Sequence, residues 1–365
     1  MKNDFAEISG IYADSAASAL KPEVVIAAEL DFIRNHYANA GRGICRRAEA
    51  SDAVVARARA ATAEFMGAAG ADNIIFTHGA SEGLNRVANM LNLSPDDVVI
   101  ASDLDHHSAR LPFMMRARVE PCALDKDFNL DAEWLRARCA RGDVRAVVIT
   151  AMSNVLGMPQ DVKKLVVAAQ GAFTLVDAAQ YAAHSDIDVA DWGADAVAFS
   201  AHKVYGGTGL GVLYLKNPSA LKSDMIGGGS IAWVDGDKWE PAASAARFEA
   251  GTLPLVQLAG WPIAMEYAKK NSVHNLTERL RAGLAEIPNV RIISPNGAAL
   301  TTIYHEKTHA LDLGSRLGAK GICCRAGTMC ASWIHKKLAL PATLRFSLGA
   351  WNDDADVDAI LEALQ

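Results

Sequence analysis

The sequence lacks the features that mark several large classes of protein. Its 365 residues contain no apolar run as long as the ~20 residues that a membrane-spanning helix needs, no low-complexity tract and no internal repeat. Acidic residues outnumber basic ones, 42 to 36, and the charges are interspersed, without the basic face that nucleic-acid-binding proteins present. We therefore expect a protein that has neither a membrane nor a nucleic acid among its partners.

The sequence also has few cysteines and no recognisable secretion signal. Its first seven residues carry acidic side chains and no apolar signal core. A chain of this length with 51% hydrophobic residues can bury a large core without disulfides or metal ions. We therefore expect free thiols and a cytoplasmic location. The six cysteines, whose spacing is unlike that of a secreted disulfide framework, are Cys45, Cys122, Cys139, Cys323, Cys324 and Cys330.

Short apolar runs alternate with amphipathic segments through the first part of the chain. The runs are continuous rather than alternating, which is typical of strands buried on both faces of a sheet. Strands that alternate with helices predict an α/β fold with a mostly parallel sheet, here of seven strands, and right-handed crossovers. The predicted strands are 73–77, 98–102, 119–123, 146–151, 173–177, 196–200 and 211–215, with helices between them at 82–91, 131–138 and 162–170.

The pattern changes after the last of these strands. A glycine- and tryptophan-rich stretch at 225–251 predicts a loop or hairpin. The apolar helix that follows at 255–270 is expected to be interrupted near Gly260 and Pro262. The remainder predicts a smaller α+β domain. The expected domains are therefore a large one at 15–268 and a small one formed by 1–14 together with 269–365.

Polar side chains that can bind a ligand or take part in catalysis lie at the ends of several predicted strands. This is the edge at which parallel sheets bind ligands. After strand 73–77, small residues lead into a helix whose N-terminal N–H groups, with the Ser81 hydroxyl, can bind an anion; the alternative is that Ser81 only caps the helix. Asp177 ends one strand and Lys203 follows another, where desolvation lowers the pKa of an amine and makes it a nucleophile; for each, the alternative is a structural salt bridge. Pyridoxal 5'-phosphate (PLP) requires this combination: an anion-binding site, an acid and a lysine at one edge of the sheet.

Three other motif matches lack the structural context that they need. The H-E-x-x-H pattern of zinc proteases occurs at 305–309 but follows a predicted strand instead of lying on a helix, so we expect no metal site. The S-x-x-K pattern at 200–203 is followed by glycines and by no K-T-G triplet. The glycine-rich stretch 207–211 lacks the third glycine of a dinucleotide fingerprint. It is followed by a predicted strand, whereas the fingerprint needs a helix there. We interpret all three as chance matches.

Longer motifs, in a fixed order along nearly the whole chain, resemble one family. The sequence is similar to the group II (Suf-type) cysteine desulfurases, which are related to the selenocysteine lyases, within the class V aminotransferase-like proteins of PLP fold type I. The resemblance implies that fold, PLP as cofactor, and a homodimer that transfers sulfur from an amino-acid substrate, L-cysteine, to an acceptor protein. The motifs are Y-A-D-S-A-A-S at 12–18, R-G-I at 42–44, D-H-H at 105–107, S-N-V-L-G at 153–157, V-D-A-A-Q at 176–180, S-A-H-K at 200–203, R-F-E-A-G-T at 247–252 and R-A-G-T-M-C-A at 325–331.

The resemblance also implies a role for each matching residue. Lys203 is expected to be the Schiff-base lysine and proton shuttle, His106 to stack on the cofactor ring, and Asp177 to pair with the ring nitrogen. Arg345 is expected to hold the substrate carboxylate; the alternative is an exposed strand charge. The other implied binding residues are Gln180 at the phenolic oxygen, Ala80, Ser81, Ser200 and His202 around the phosphate, Thr252 reaching the phosphate from the neighbouring subunit, Asn154 at cofactor and substrate, and Arg325 at the substrate.

Cys330 matches the sulfur-accepting nucleophile of the family. The resemblance implies that its thiolate takes the substrate sulfur as a persulfide while alanine is released, with nearby Arg325 favouring the thiolate. Cys323 and Cys324 lie in an apolar strand predicted at 322–325 and are expected to be buried packing residues.

The sequence departs from the family pattern around the substrate rather than around the cofactor. Thr328 and Met329 stand where the family has histidines, Gly41 replaces a further histidine, Cys45 a polar residue and Ala109 an asparagine. Two alternatives therefore stay open. One is a selenocysteine or other C–S lyase, or a class V aminotransferase-like enzyme, with an altered substrate; the other is a non-catalytic relative that keeps the fold as a scaffold.

Overall fold

The computed structural model describes residues 2–41, 43–271 and 273–365; Arg42 of the R-G-I motif lies outside them. The strands are β1 (Ile11–Tyr12), β2 (Ile74–Thr77), β3 (Val98–Ala101), β4 (Arg118–Pro121), β5 (Val144–Thr150), β6 (Phe173–Asp177), β7 (Ala196–Ser200), β8 (Gly211–Leu215), β9 (Ile231–Asp235), β10 (Lys238–Pro241), β11 (Val290–Ile292), β12 (Thr301–His305), β13 (Ile322–Cys323), β14 (Arg325–Gly327) and β15 (Thr343–Phe346). The α-helices are α1 (Glu23–Asp31), α2 (Arg46–Met66), α3 (Ala80–Met90), α4 (His107–Met114), α5 (Ala132–Cys139), α6 (Val162–Ala168), α7 (Val189–Trp192), α8 (Leu255–Lys270), α9 (His274–Ala285), α10 (Ala310–Ala319), α11 (Ser332–Lys337) and α12 (Asp354–Leu364). None of these helices is both long and apolar enough to cross a membrane.

Seven strands form a central sheet in the order β2-β8-β7-β6-β5-β3-β4. β8 runs antiparallel to both of its neighbours, and every other adjacent pair is parallel. The predicted seven-stranded, mostly parallel sheet is therefore confirmed, and the bounds of β6, β7 and β8 are those predicted from the sequence. The glycine- and tryptophan-rich stretch forms the predicted hairpin, β9 paired with β10.

Apolar side chains leave the central sheet on both faces and enter two separate cores. Along β2, Ile74 and Phe76 belong to one core and Ile75 to the other. Trp261 of α8 packs in the first core, and Leu84 of α3 packs in the second. Because both faces are covered, each strand needs apolar residues at consecutive positions, which explains the continuous apolar runs in the sequence.

A second sheet, antiparallel throughout, has the order β11-β12-β15-β14. Helices α9, α10 and α12 contribute to a third core beside it, through residues such as Leu280, Leu313 and Ile360. Strand β1, near the N-terminus, pairs in parallel with β13, and Ala13 joins the same core. This is the smaller α+β part expected from the sequence; the domain boundaries at 14/15 and 268/269 stay a prediction.

The predicted interruption of the long helix is wrong, because α8 is continuous from Leu255–Lys270. Gly260 packs against α1, where an added Cβ would lie 3.0 Å from side-chain carbons of Val25 and Glu29. The glycine therefore lets the two helices approach closely. Packing of the buried face of α8 outweighs the poor helix propensity of Gly260 and the hydrogen bond that Pro262 cannot donate.

The predicted strand at 322–325 is also wrong in detail. The chain forms two short strands there, β13 beside β1 and β14 beside β15, with Cys324 between them. Cys323 is exposed and Cys324 is half-buried, so Cys323 is not the buried packing residue that was expected. Each strand has a single neighbour, and the change of neighbour at Cys324 leaves the Cys323 side chain accessible.

Candidate active site

A cleft of about 320 Å³ lies at the carboxyl ends of β2, β5, β6 and β7, the sheet edge at which the sequence predicts a ligand. One predicted site residue, Thr252, is exposed and lies outside the lining of this cleft. The others meet there: Ala80, Ser81, His106, Asn154, Asp177, Gln180, Ser200, His202, Lys203, Arg325, Cys330 and Arg345.

Lys203 lies just beyond the end of β7, in a short 3₁₀ turn at Ala201–Lys203. Burial lowers the pKa of its amine to about 8; Asp177 acts in the opposite direction, and Arg345 lowers the pKa further. Cys330 is also near enough to affect this pKa, which it raises. An appreciable fraction of the Lys203 amine is therefore uncharged at slightly alkaline pH, and the uncharged amine is the nucleophilic form.

Asp177 and His106 both line the cleft. Asp177 is the last residue of β6, and its Oδ1 accepts the Ala179 N–H at 3.0 Å. Burial raises the pKa of this carboxyl, while that hydrogen bond and Lys203 lower it. His106 precedes α4, and its Nδ1 accepts the Ser108 N–H at 3.1 Å, which places the proton of the neutral ring on Nε2. Burial is the main cause that lowers the pKa of His106 to about 4, and the charge of Lys203 lowers it further. The ring is therefore neutral at neutral pH.

Serine hydroxyls and a helix N-terminus meet at one end of the cleft. Helix α3 begins at Ala80, and Gly79 caps it without a side-chain hydrogen bond, so the alternative that Ser81 serves as the cap is wrong. The Ser81 Oγ instead lies 2.7 Å from the Ser108 Oγ. The Ala80 N–H donates to the Ser200 Oγ at 2.8 Å. N–H groups of a helix N-terminus surrounded by hydroxyls suit a phosphate group.

Three buried polar atoms of residues that line the cleft have no hydrogen-bond partner among the described residues. Arg345, on β15, is only 2% exposed, so the alternative of an exposed strand charge is wrong. Its Nη1 donates to the Asn154 carbonyl at 2.8 Å and its Nη2 to Asp14 Oδ1 at 2.9 Å. Among the described residues, the Arg345 Nε, the Asn154 Oδ1 and the Gln180 Oε1 are buried without a hydrogen-bond partner. Because buried polar atoms are nearly always hydrogen-bonded, these atoms fit a cleft that takes polar ligands.

Cys330 lies exposed at the cleft, in the turn between β14 and α11. Met329 and Cys330 both have positive φ angles, 53° and 55°. Such a conformation costs a non-glycine residue about 1–3 kcal/mol. Two hydrogen bonds hold the turn: Asn154 Nδ2 donates to the Met329 carbonyl at 2.7 Å, and the His107 N–H donates to the Cys330 carbonyl at 2.7 Å. The backbone that carries the thiol is thereby tied to Asn154, which lines the cleft, and to His107, the first residue of α4.

The H-E-x-x-H segment does not form a helix face. His305 ends β12, and His309 precedes α10 as its N-cap. Over residues 2–41, 43–271 and 273–365, no group of three or more His, Cys, Asp and Glu side chains is arranged to hold a metal ion.

Two carboxylates that organise the cleft were not among the predicted site residues. Asp14 accepts hydrogen bonds from two arginines of the cleft. Asp105 is completely buried and accepts hydrogen bonds from the N–H and Oγ of Ser102, at 2.6 and 2.7 Å, and from Thr150 Oγ1 at 2.7 Å. Asp105 therefore fixes the path of the chain into α4. Both aspartates lie inside motifs that carry the family resemblance, which was the one sequence signal for them.

Comparison with known proteins extends the similarity over the whole chain. The profile described as Aminotransferase class-V matches residues 11–360. A cysteine desulfurase of Klebsiella pneumoniae is 34% identical, with 98% of this chain and 94% of the relative covered. The solved apo structure of the cysteine desulfurase from Thermococcus onnurineus NA1 matches with a TM-score of 0.91 at 30% identity, covering 97% of this chain and 93% of that one. The cysteine desulfurase CsdA from Escherichia coli gives the same TM-score and identity, covering 99% and 96%.

The fold, the cleft and these similarities define the class of protein: the chain belongs to the aminotransferase class-V family. Within that family its relatives are the cysteine desulfurases. Like the members of this family, it is a PLP-dependent enzyme with the fold of that family.

Proposed function

We propose that the protein is a cysteine desulfurase of the group II (Suf-type) subgroup. It converts L-cysteine to L-alanine and takes the sulfur onto Cys330 as a persulfide. The observation that carries this proposal is the meeting of an amine, a thiol and a guanidinium in one cleft: Lys203, Cys330 and Arg345 all line it. Both Arg345 and Cys330 are close enough to Lys203 to shift the pKa of its amine.

The residues of the cleft fit PLP. The N-terminus of α3, with Ser81 and Ser200, is proposed to hold the phosphate, together with His202, which also lines the cleft. Asp177 is proposed to pair with the ring nitrogen and Gln180 with the phenolic oxygen. His106, whose depressed pKa leaves the ring neutral, is proposed to stack on the cofactor. When bound to Lys203, PLP supplies an electron sink for bonds at the substrate α-carbon.

Lys203 is proposed to move the protons. An amine with a pKa of about 8 would accept the substrate α-proton near neutral pH and give it up again. Arg345, with Asn154, is proposed to hold the substrate carboxylate, since a guanidinium can bind a carboxylate through two N–H groups. Holding the carboxylate fixes the α-carbon, so that its proton faces Lys203 rather than water.

Cys330 is proposed to receive the sulfur. Its thiolate attacks the substrate sulfur, a sulfur–sulfur bond forms, and the bond between the substrate Cβ and sulfur breaks. The electron pair left at Cβ takes up a proton to give the methyl group of alanine. The persulfide then remains on an exposed side chain, where an acceptor protein can reach it by thiol exchange. Arg325 is proposed to favour the thiolate and to contact the substrate.

The proposal includes a homodimer in the cytoplasm. Thr252 is exposed and lies outside the cleft of its own chain, the placement required if it contributes to the phosphate site of a second subunit. Analytical ultracentrifugation of the holoenzyme tests the dimer. Mixing subunits that carry Thr252→Ala with subunits that carry Lys203→Ala tests whether Thr252 acts in the cleft of the other chain.

The reaction is tested by incubating the holoenzyme with L-cysteine and a reductant and measuring alanine and sulfide together. We expect equal amounts of both from the wild-type protein, and Cys330→Ser to lower both by about 100-fold or more. Cys323→Ser is the matched control, because Cys323 is also exposed but does not line the cleft. Alanine without sulfide, or a Cys330→Ser variant as active as the control, would contradict the proposal.

A further inference from the structure

A buried carboxylate bridges the two arginines of the cleft. Asp14 is 5% exposed, and its two oxygens have different partners. Oδ1 accepts a hydrogen bond from Arg345 Nη2 at 2.9 Å, and Oδ2 accepts one from Arg325 Nη2 at 2.6 Å. Such charge-assisted hydrogen bonds are about twice as strong as neutral ones.

The backbone on both sides of Asp14 is fixed by the strands next to it. The Ala13 N–H donates to the Cys323 carbonyl at 2.8 Å, and the Ser347 N–H donates to the Ala13 carbonyl at 2.9 Å. The Ser15 N–H in turn donates to the Ser347 carbonyl at 3.0 Å. Asp14 therefore sits on a rigid segment between β13 and the end of β15, which allows it to orient its partners rather than follow them.

The two arginines need an anion between them. Arg325 and Arg345 are directly opposed in the antiparallel pair of β14 and β15. Like charges in directly opposed positions destabilise a sheet, and Arg345 is in addition almost completely buried. The Asp14 carboxylate compensates this charge, which removing the aspartate would leave unpaired.

Asp14 also determines which part of the Arg345 guanidinium is available. Nη2 is engaged by Asp14 and Nη1 by the Asn154 carbonyl, whereas Nε has no partner among the described residues. One N–H on each Nη and the Nε–H thus remain for a ligand. A carboxylate entering the cleft would meet a guanidinium that is already held in one orientation.

We propose that Asp14 is a positioning residue for substrate recognition: it holds Arg345 so that the free N–H groups bind the substrate carboxylate, and through Arg325 it ties this subsite to the strand that leads to Cys330. The inference rests on the proposed function of the cleft as an amino-acid site. It assigns to Asp14 a contribution that depends on the substrate carboxylate and on no other group of the substrate.

The test compares a ligand that has the carboxylate with one that lacks it. L-alanine and ethylamine differ in this group alone, and binding of either to the holoenzyme is followed by the absorbance of the bound cofactor, without turnover. We expect wild-type protein to bind L-alanine more tightly than ethylamine. In Asp14→Asn the affinity ratio of L-alanine to ethylamine is expected to fall about tenfold or more, since a hydrogen bond between charged groups is lost, while ethylamine affinity changes less than twofold.

Asp224→Asn is the matched control. Asp224 forms a buried ion pair with Arg86 at 3.0 Å and does not line the cleft. This control is expected to lower the melting temperature and to leave the ratio unchanged. Asp14→Glu keeps the charge and is expected to retain more of the ratio than Asp14→Asn; if Asp14→Asn does not yield folded protein, equal losses of L-alanine and ethylamine affinity in Asp14→Glu overturn the inference.

The outcomes separate this inference from the proposed function. Equal losses of L-alanine and ethylamine affinity in Asp14→Asn would make Asp14 a structural residue and overturn the positioning role. A wild-type protein that binds both ligands equally would remove the carboxylate subsite and the inference with it. The alanine and sulfide assay decides the desulfurase activity independently of either result.

Discussion

Cys122 and Cys139 lie in the core, and burial raises the pKa of both thiols, that of Cys122 to about 12. Burial also raises the pKa of the half-buried Cys324 to about 12. Thiols with such pKa values carry almost no thiolate at neutral pH and are poor nucleophiles. Cys330, by contrast, is exposed in the cleft that contains Lys203. Identical side chains therefore have different chemistry in this chain because their surroundings differ.

Ser81 is expected to contribute to cofactor binding through its hydroxyl. Its hydroxyl lies beside that of Ser108 in the cleft, next to the N-terminus of α3. We expect Ser81→Ala to weaken PLP binding about tenfold or more, because one hydrogen bond to a charged phosphate is lost. Equilibrium titration of cofactor-free protein with PLP measures the change. Ser219→Ala, at an exposed serine bonded to Asn217, is the control; equal affinities of the two variants would remove Ser81 from the phosphate site.

The sequence reveals some of these residues more readily than others. Asp177 is the last residue of one apolar strand and Lys203 comes three residues after the end of another, so local pattern alone places them at the ligand-binding edge of the sheet. Asp14 has no such signal, because its two partners are 311 and 331 residues away along the chain. A contact of that kind depends on how β1, β14 and β15 are arranged, which no local pattern contains.

The glycine at the start of β8 allows this strand to lie against the turn that leads into α3. Gly211 lies against the turn that connects β2 with α3, and a Cβ at this position would be 2.4 Å from the Gly79 Cα and 2.6 Å from its N. Real Cβ atoms do not approach backbone this closely, so any larger residue must displace the turn. Because α3 begins directly after Gly79, such a displacement moves the N–H groups proposed to bind phosphate.

We therefore expect Gly211→Ala to lower the free energy of unfolding by about 1–3 kcal/mol and to weaken PLP binding at the same time. Urea denaturation and PLP titration measure the two effects. Gly318→Ala is the control, since an added Cβ there has no neighbour within 4 Å, and an alanine in a helix is about 0.5–1 kcal/mol more favourable than glycine. PLP affinity as high in Gly211→Ala as in this control would show that the turn tolerates the displacement.

Element boundaries were predictable where the sequence and the packing agree. The buried central strands β6, β7 and β8 have the predicted bounds because most of their consecutive positions are apolar, as in A-V-A-F-S of β7, and all but the first residue of β6 are buried. The predictions failed where a tertiary contact overrides a local signal. Gly260 and Pro262 favour a break, but contact with α1 keeps α8 intact, and the run at 322–325 is divided because its halves have different partner strands.

At the scale of the whole molecule, the cleft is formed by segments from all parts of the chain. The central sheet contributes strand ends, the N-terminal segment contributes Ala16 and Ala17, and the second sheet contributes Arg345. Parallel strands direct their carboxyl ends to one edge, which is why residues that end or follow these strands could be expected to meet there. Arg345 and its partner Asp14 depend on how the two sheets are placed against each other, and Asp14 was missed for that reason.

Burying Lys203 at this junction affects the stability of the whole protein, with a defined dependence on pH. In the folded, cofactor-free protein the pKa of its amine is about 8, below the ordinary value of 10.5 that applies in the unfolded chain. Between these two pKa values the unfolded chain binds more protons, so this group makes stability rise with pH. Below about pH 8 both states are protonated and the full cost of burial, about 3 kcal/mol, is present.

Lys203→Met removes this titration. We expect it to stabilise cofactor-free protein at about pH 7.5, and we expect the advantage over wild type to shrink by about 2 kcal/mol by about pH 9.5. Urea denaturation at both pH values measures the difference. Lys163→Met is the control: Lys163 is exposed and pairs with Asp191, which raises the pKa of its amine, so both states stay protonated over this range and the difference from wild type stays constant. If the difference in stability from wild type stayed constant with pH for both variants, Lys203 would be solvated in the folded protein. It could not then supply an uncharged amine near neutral pH.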